Sequence, residues 1–199
     1  MTVTEVVERL ARPPDPPLIA IDGLPCAGKS TLAETLSGRH GYDCLQLDEF
    51  IRPETEWPSR VRPAFPFEYI RYDEFIEAVR SLATTGECVY RPFDFETLSV
   101  STERRTVTLT RPVIVEGVSA LNPALTPLYG LKLFVDSDAA TVLRTAESRG
   151  GGVWLEAWRT LFLPSVDLYS RTQPERRADI IVMGRGAVVG TTPPSGSST

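Results

Sequence analysis

The feature that most constrains the fold of this chain is a glycine-containing loop placed between an apolar run and a helical pattern. Residues 23–30, GLPCAGKS, satisfy the pattern GxxxxGK[ST]. Leu18–Ile21 predicts a strand before the loop, and Lys29–Ser37 predicts a helix after it. In such a unit the glycines let backbone N–H groups turn around phosphate oxygens, and the helix N-terminus adds positive potential. The loop therefore predicts a site for a nucleoside triphosphate.

Different residues are predicted to contact different parts of that ligand. The Lys29 ammonium would reach the β- and γ-phosphates, and the Ser30 hydroxyl would complete the shell of a Mg²⁺ ion. Arg185, in the C-terminal segment, is a candidate contact for the base of ATP, or of GTP, between which the sequence does not decide. The other predicted nucleotide-binding residues are Gly23, Pro25, Cys26, Ala27, Gly28 and Thr31.

Short β-rich runs alternate with helical patterns along most of the chain. The runs are apolar throughout, which is typical of a parallel sheet covered by helices on both faces. We therefore predict an α/β P-loop NTPase fold, with a β-hairpin formed by Cys88–Phe93 and Thr106–Thr110 inserted before the third core strand. The predicted core strands are Leu18–Ile21, Cys44–Leu47, Val113–Val115, Leu131–Val135 and Ile180–Met183. The predicted helices are Lys29–Ser37, Asp73–Thr85, Asp138–Arg149 and Trp154–Tyr169.

The 199 residues are enough for one ordinary domain. We predict a lead-in over 1–17, with a short helix at Thr4–Ala11 followed by prolines, the domain over 18–188, and a disordered tail over 189–199. A short helical lid is predicted at about 149–164.

The net charge and the composition of the chain exclude some classes of binding partner. The net charge of −5 disfavours a general nucleic-acid binder, and no apolar run is long enough for a membrane helix or a signal peptide. We therefore expect a cytoplasmic protein with neither nucleic acid nor membrane as a partner. The three cysteines fit neither a disulfide framework nor a CxxC metal site. The sequence leaves open whether the chain forms a homodimer.

Two carboxylates follow predicted strands directly. Asp48 ends the run CLQLD and Glu116 ends RPVIVEG, so both are expected at the carboxyl edge of the sheet, where open α/β sheets bind ligands. Asp48 could accept the proton of an attacking hydroxyl and help organise Mg²⁺, while Glu116 could orient a magnesium-bound water. The alternative for either residue is a helix cap or a surface carboxylate. Glu49, beside Asp48, is expected to face solvent.

Positive charge is concentrated near a glycine run in the C-terminal third. Arg144 and Arg149 end a predicted helix, three glycines follow, and Arg159 comes next. Arginines on a closing segment could neutralise charge that develops on a transferred phosphoryl group, and the alternative is a solvated helix face. Trp154 and Trp158 are predicted to be packing residues.

Taken in order, these segments resemble the uridine kinase group of P-loop phosphotransferases, which is related to phosphoribulokinase and pantothenate kinase. The resemblance runs from about Ile19 to Met183. It implies a mononucleotide-kinase-like fold, ATP or GTP with Mg²⁺, Asp48 as general base, and Arg144 and Arg149 as the arginines that lead into the lid. The segments that carry it are GLPCAGKST, LDEF, YDEFIEAVRSLATTGECVYRPFDF, VIVEGVSAL, LKLFVDSD and FLPSVDLY followed by RRADIIV.

The chain departs from that family at the residues that recognise the nucleoside. Ile51 stands where the family has a tyrosine, and Leu98 and Val100 stand where it has a histidine and its neighbour. Glu68 is the candidate replacement for the sugar-binding aspartate, and the lid before Pro164 is short. A site that lacks hydrogen-bonding partners discriminates against a ligand that needs them, so uridine is not the expected substrate.

These observations predict a kinase that transfers the γ-phosphoryl group of ATP to a hydroxyl of a small molecule, which is a nucleoside or a nucleoside-like or sugar-like metabolite. A kinase of another hydroxyl compound, an NTP hydrolase and a nucleotide-binding regulatory protein are the alternatives. The predicted substrate-binding residues are Glu68, Tyr69, Tyr90, Phe93, Asp94 and Arg159, and Phe67 and Arg91 are predicted to belong to the pocket walls as well.

Overall fold

A five-stranded parallel sheet organises the chain. The computed structural model describes residues 1–10, 13–57, 61–137, 145 and 154–184. The five strands are β1 (Leu18–Gly23), β2 (Asp43–Gln46), β7 (Val113–Glu116), β8 (Leu131–Asp136) and β9 (Ile180–Met183). Their order in the sheet is β2-β7-β1-β8-β9, and every neighbouring pair is parallel. All five predicted core strands are present, each within two residues of its predicted bounds.

Helices flank the sheet, as the alternating pattern predicts. An N-terminal helix, α1 (Val3–Arg9), precedes β1, and α2 (Lys29–His40) follows the glycine loop. A third helix, α3 (Tyr72–Thr85), lies between β2 and the strand that follows it. The predicted helix Asp138–Arg149 and the tail 189–199 lie outside the described residues, apart from Thr145. None of the helices that the structure describes is long and apolar enough to cross a membrane.

The last described helix, α4, changes its winding along its length. It runs through an α-helical turn Leu155–Ala157, a π-helical segment Trp158–Phe162 and an α-helical part Leu163–Ser170. Pro164 lies just after the π-helical segment and has no N–H to donate to the carbonyl four residues earlier. A π-helical segment of this kind is often found at functional sites.

The inserted β structure differs from the predicted single hairpin. Strand β3 (Glu87–Tyr90) pairs antiparallel with β6 (Arg105–Thr108), and a shorter ladder of β4 (Phe93–Asp94) with β5 (Ser99–Val100) lies between them in sequence. The predicted strand Cys88–Phe93 is therefore interrupted. Pro92 lies at the interruption, and a proline cannot donate to a strand ladder.

Alternate residues of β1 enter two separate apolar cores, one on each face of the sheet. Leu18 and Ala20 pack with side chains of α3 and α4, in a core rich in aromatic rings. Ile19 and Ile21 pack with side chains of α1 and α2, in an aliphatic core. This arrangement is the physical reason that β1 is apolar at every position up to Ile21, because both of its faces are buried.

A buried carboxylate ties the end of β1 to the aromatic side of the protein. The side chain of Asp22 is fully buried, and it accepts hydrogen bonds from the N–H groups of Gly23 at 2.6 Å, Ser119 at 3.0 Å and Leu121 at 2.8 Å. The Tyr169 hydroxyl on α4 donates a fourth. Burial raises the pKa of Asp22, and these hydrogen bonds oppose that rise.

Replacing Asp22→Asn is expected to lower the free energy of unfolding by about 1–3 kcal/mol, because an amide nitrogen would face donors that now meet a carboxylate oxygen. For a chain of this size each kcal/mol corresponds to about 2–4 °C in Tm, which a thermal melt would resolve. The matched control is Asp167→Asn, which removes only an exposed ion pair with Arg171. Equal Tm values for the two variants would contradict the role assigned to Asp22.

Candidate active site

The strand register brings the predicted site residues to one edge of the sheet. Glu116 ends β7 level with Ile21 of β1 and Gln46 of β2. Asp48 follows two residues after Gln46, and the glycine loop follows β1 at the same edge. Parallel strands end together at this edge, so residues far apart in sequence meet there.

The glycine loop has the backbone of a phosphate cradle. Gly28 lies immediately before α2 with φ of 109°, a conformation that side-chain-bearing residues rarely adopt, and a Cβ built on it would meet no atom within 4 Å. That open space beside the helix N-terminus is where phosphate oxygens would fit. Cys26 also has a positive φ, of 59°. The residues present therefore fit the triphosphate that the motif predicts.

The Lys29 ammonium is buried among negative groups beside this loop. Its Nζ donates a hydrogen bond to the Leu24 carbonyl at 2.9 Å and lies 3.9 Å from Glu116 Oε1. The Ser30 hydroxyl donates to Glu116 Oε2 at 3.3 Å. Ser30 and Glu116, which together with Asp48 are the three predicted metal-binding residues, are therefore in contact, and their hydroxyl and carboxylate oxygens are the donor types that Mg²⁺ prefers.

The Glu116 carboxyl titrates near neutrality in this position. Burial is the largest cause and raises its pKa to about 7; Lys29 opposes that rise and the nearby charge of Asp48 adds to it. In the described part of the chain no three His, Cys, Asp or Glu side chains form a group that could hold a metal ion. A Mg²⁺ ion here would therefore depend on phosphate oxygens and water as well as on Ser30 and Glu116.

Asp48 lies in a 3-10 turn, Leu47–Phe50, directly after β2. The Asp48 side chain opens into a chamber beside the glycine loop. Burial within this chamber raises the pKa of Asp48, and the positive charge of Lys29 opposes that rise. The position of the turn depends on Gly117, which has φ of 155°. A Cβ there would lie 2.3 Å from the Cβ of Leu47. The close approach of Gly117 to Leu47 thus sets where the Asp48 carboxylate stands.

Glu49 points into a separate polar cluster, so the expectation that it faces solvent is wrong. Its carboxylate accepts hydrogen bonds from the Tyr90 hydroxyl and from the Arg105 guanidinium. Arg105 also donates to Asp43 at 3.0 Å. This cluster joins β2 to the inserted strands and leaves Asp48 as the carboxylate of the turn that faces the chamber.

The chamber has a volume of about 260 Å³. Its floor is made by the glycine loop and the two carboxylates, and its walls are mainly aromatic and aliphatic. The lining residues are Pro25, Cys26, Lys29, Ser30, Leu47, Asp48, Ile51, Phe67, Tyr69, Ile70, Phe95, Glu116, Gly117, Val118, Trp154, Trp158, Phe162 and Val166.

Of the predicted substrate-binding residues, Tyr69 lies in the chamber wall. Its ring stacks on Phe67 at a centroid distance of 5.3 Å and contacts Phe162 at 4.6 Å. Burial raises the pKa of its hydroxyl, and the charge of Asp48 adds to the rise, which is consistent with the two groups being neighbours. Tyr69 is therefore a polar side chain on the wall that can approach a ligand held at Asp48.

The other predicted substrate-binding residues do not line the chamber. Tyr90 belongs to the Glu49 cluster, and Phe93 lies behind the wall, 5.2 Å from the ring of Phe95. The Asp94 carboxylate accepts hydrogen bonds within the loop between β4 and β5, from Glu96 N–H at 2.8 Å first. Those bonds lower its pKa.

Two further candidates are exposed. The Glu68 carboxylate accepts a hydrogen bond from the backbone N–H of Arg62 at 3.3 Å, and Arg159 lies on the outside of the π-helical segment. Arg144, Arg149 and Arg185 lie outside the described residues.

Four aromatic residues of the chamber were not predicted as site residues. Trp154 and Trp158 do pack, each within 6.2 Å of the Phe162 ring, but they also line the chamber together with Phe162 and Phe95. The aromatic spacing of Trp154, Trp158 and Phe162, each four residues apart, was the available signal. It places the rings on one helix face but does not say that this face meets a ligand.

The Tm of the variant Glu116→Gln, measured relative to the Tm of the parent protein, is expected to rise as pH increases from about 5 to about 8. Folding raises the pKa of this carboxyl from 4.5 to about 7. The protonated carboxyl therefore contributes its full share of folding stability below pH 4.5, and the parent protein loses that stability as pH rises through 7. Thermal melts of ligand-free protein across this range would measure it. The control is Glu34→Gln, a change at an exposed position on α2. If the Tm difference between Glu116→Gln and the parent did not change with pH, the raised pKa assigned to Glu116 would be contradicted.

Comparison with known proteins agrees with this geometry at the level of fold. No family model matches the chain, and no curated protein matches it in sequence. A solved structure described as a possible uridine kinase from Bacillus stearothermophilus is 19% identical, with a TM-score of 0.67 over 90% of this chain and 96% of its own. Another, provisionally assigned as a fructose transport system kinase from Silicibacter sp. TM1040, is 18% identical, with a TM-score of 0.66 over 92% and 98%. The chain therefore has the fold of the uridine kinase-like P-loop kinases.

Proposed function

We propose that the protein is a small-molecule kinase that transfers the γ-phosphoryl group of ATP to a hydroxyl group. The observation that carries this proposal is that Lys29, Asp48 and Glu116 meet in one chamber at the mouth of a phosphate cradle. Phosphoryl transfer needs mainly positioning and charge neutralisation, and these three side chains supply both. The two solved structures compared above are both described as kinases, which supports the same reaction class.

Lys29 has the role of a phosphate ligand in this proposal. Its ammonium contacts the Leu24 carbonyl and Glu116. A triphosphate in the cradle would offer a stronger anionic partner, towards which the flexible lysine side chain can turn. Mg²⁺, when bound, supplies charge neutralisation at the phosphates, and Ser30 and Glu116 are the residues that would hold it.

Asp48 has the role of general base. The acceptor hydroxyl would donate its proton to the Asp48 carboxylate as its oxygen bonds to the γ-phosphorus and the bond to the ADP oxygen breaks. A raised pKa makes this carboxylate a better proton acceptor than an ordinary aspartate. Its position in the turn after β2 keeps it beside the cradle.

The composition of the chamber favours an organic acceptor over water. Phe67, Trp154, Trp158 and Phe162 form a wall that an NTP hydrolase would not need, and apolar walls exclude the water that such an enzyme must admit. Transfer to a bound alcohol is therefore favoured over hydrolysis.

Replacing Asp48→Asn is expected to lower acceptor-dependent ADP release by about 10²–10⁴-fold, the usual contribution of a general base, with little change in ATP affinity. The assay is ADP release with ATP and Mg²⁺ against a panel of hydroxyl compounds. Glu34→Gln, an exposed carboxylate change on α2, is the control and should match the parent. Stimulation by an acceptor that Asp48→Asn leaves intact would rule out Asp48 as the base. ATP binding without stimulation by any acceptor would count against the kinase proposal itself.

Replacing Gly117→Ala is expected to lower kcat by at least about tenfold while ATP affinity changes less. The added methyl would push against Leu47 and so displace the turn that holds Asp48, and small misplacements of catalytic groups are costly. Steady-state kinetics with a stimulating acceptor, together with ATP titration, separate the two effects. Gly38→Ala on α2 is the control, since a Cβ there meets nothing within 4 Å. An unchanged kcat in Gly117→Ala would overturn this role.

A further inference from the structure

The walls of the chamber indicate the chemical class of the acceptor, which the catalytic residues alone do not. Beyond the glycine loop and the two carboxylates, the described lining is almost entirely apolar. Five of its members carry large rings besides Tyr69, and these are Phe67, Phe95, Trp154, Trp158 and Phe162. Such a wall recognises a ligand by area and by ring packing.

The polar atoms available to a ligand are few. Lys29, Ser30 and Glu116 belong to the phosphate side. The described polar side-chain groups on the acceptor side are the Asp48 carboxylate, the Tyr69 hydroxyl and the indole N–H groups of Trp154 and Trp158. Among the described residues, the buried Trp154 indole nitrogen has no hydrogen-bond partner. Its N–H can therefore donate one hydrogen bond to an oxygen of a bound ligand.

The rings extend outward to the mouth of the chamber. Phe95, in the loop between β4 and β5, is 53% exposed, and its ring lies 5.2 Å from Phe93 and 6.4 Å from Trp154. A large ring left half in water beside two other rings is an apolar surface that a flat ligand could cover. Its position continues the chamber wall towards solvent.

We infer, on the basis of the proposed kinase function, that the acceptor is an uncharged alcohol carried on a flat, mainly apolar body, of the class of aryl alcohols. Its hydroxyl lies at Asp48 and Tyr69, and its ring packs against the aromatic wall formed by Phe67, Phe95, Trp154, Trp158 and Phe162. The oxygen–hydrogen bond of that hydroxyl breaks, the proton passes to Asp48, and the phosphate ester forms on the same oxygen.

The described wall disfavours two other classes of acceptor. A sugar phosphate or a hydroxy acid would bring a second negative charge into a chamber whose described acceptor side carries Asp48 and no cation. A sugar or a nucleoside would bring several hydroxyl, carbonyl or imide groups to a wall that offers few hydrogen-bonding groups, namely the Tyr69 hydroxyl and the two indole N–H groups. Buried polar groups without partners weaken binding strongly.

The experiment measures acceptor binding and turnover separately. Quenching of tryptophan fluorescence in the intact protein with ATP analogue bound gives the dissociation constants of 2-phenylethanol, cyclohexylmethanol, uridine, glucose and glycerate. ADP release with ATP and Mg²⁺ is then measured for the same five compounds. The binding series tests the acceptor class, and the turnover series tests the kinase function on which it rests.

The inference stands if 2-phenylethanol binds at least about tenfold more tightly than uridine, glucose and glycerate, with cyclohexylmethanol between them. It is overturned if uridine, glucose or glycerate binds as tightly as the aryl alcohol, or if the aryl alcohol does not bind. Binding of the aryl alcohol without ADP release would leave the acceptor pocket assigned and would count against the proposed function instead.

A variant at the mouth tests the wall without disturbing the core. Phe95→Ala, at a half-exposed position, is expected to weaken 2-phenylethanol binding about tenfold and to leave ATP affinity unchanged. Val89→Ala is the control, because Val89 is also exposed but lies on β3 and does not line the chamber. Equal aryl-alcohol affinity in the two variants would overturn the assignment of Phe95 to the acceptor wall.

Discussion

The carboxylate of Asp22 connects three segments at the carboxyl edge of the sheet by hydrogen bonds. It accepts backbone hydrogen bonds from Gly23, which begins the phosphate loop, and from Ser119 and Leu121, which follow β7. It also accepts one from Tyr169 on α4, the helix that carries the aromatic wall. A buried carboxylate left without such donors would be strongly destabilising, so its position and those of its donors determine one another. The cradle, the segment after Glu116 and the acceptor wall are thereby held in one relative geometry.

This arrangement lets one sheet edge serve two unlike chemistries. The phosphate side is polar and charged, with Lys29 between the Leu24 carbonyl and Glu116. The acceptor side belongs to the aromatic core, in which Phe67 and Tyr69 are buried members. The change from one to the other occurs across a single chamber, and Asp48 lies where the two meet. In the proposed reaction, a base at that position can reach a hydroxyl whose apolar body remains away from the phosphates.

The sequence predicts the parts of this structure that local patterns determine. Apolar runs locate all five core strands, and the loop motif together with the strand-end rule places Lys29, Asp48 and Glu116 at one edge. Glu49 was predicted wrongly because its partners, Tyr90 and Arg105, are 41 and 56 residues away in sequence. No local pattern indicates a carboxylate–arginine pairing over that distance. The interrupted hairpin is the opposite case, since Pro92 was visible in the sequence as a break in the strand.

The aromatic wall could not be assigned from the sequence because two separate facts about the fold create it. The i, i+4 spacing of Trp154, Trp158 and Phe162 places three rings on one face of α4, as it would for any packing helix. The π-helical segment Trp158–Phe162 and the pairing of Tyr169 with Asp22 then fix which way that face is turned. Tyr69 and Phe67 come from a loop more than eighty residues earlier in the sequence, and Tyr69 contacts the wall through Phe162. Together these rings line a space beside Asp48. The acceptor class that we propose therefore depends on the wall that α4 carries and not on the phosphate loop.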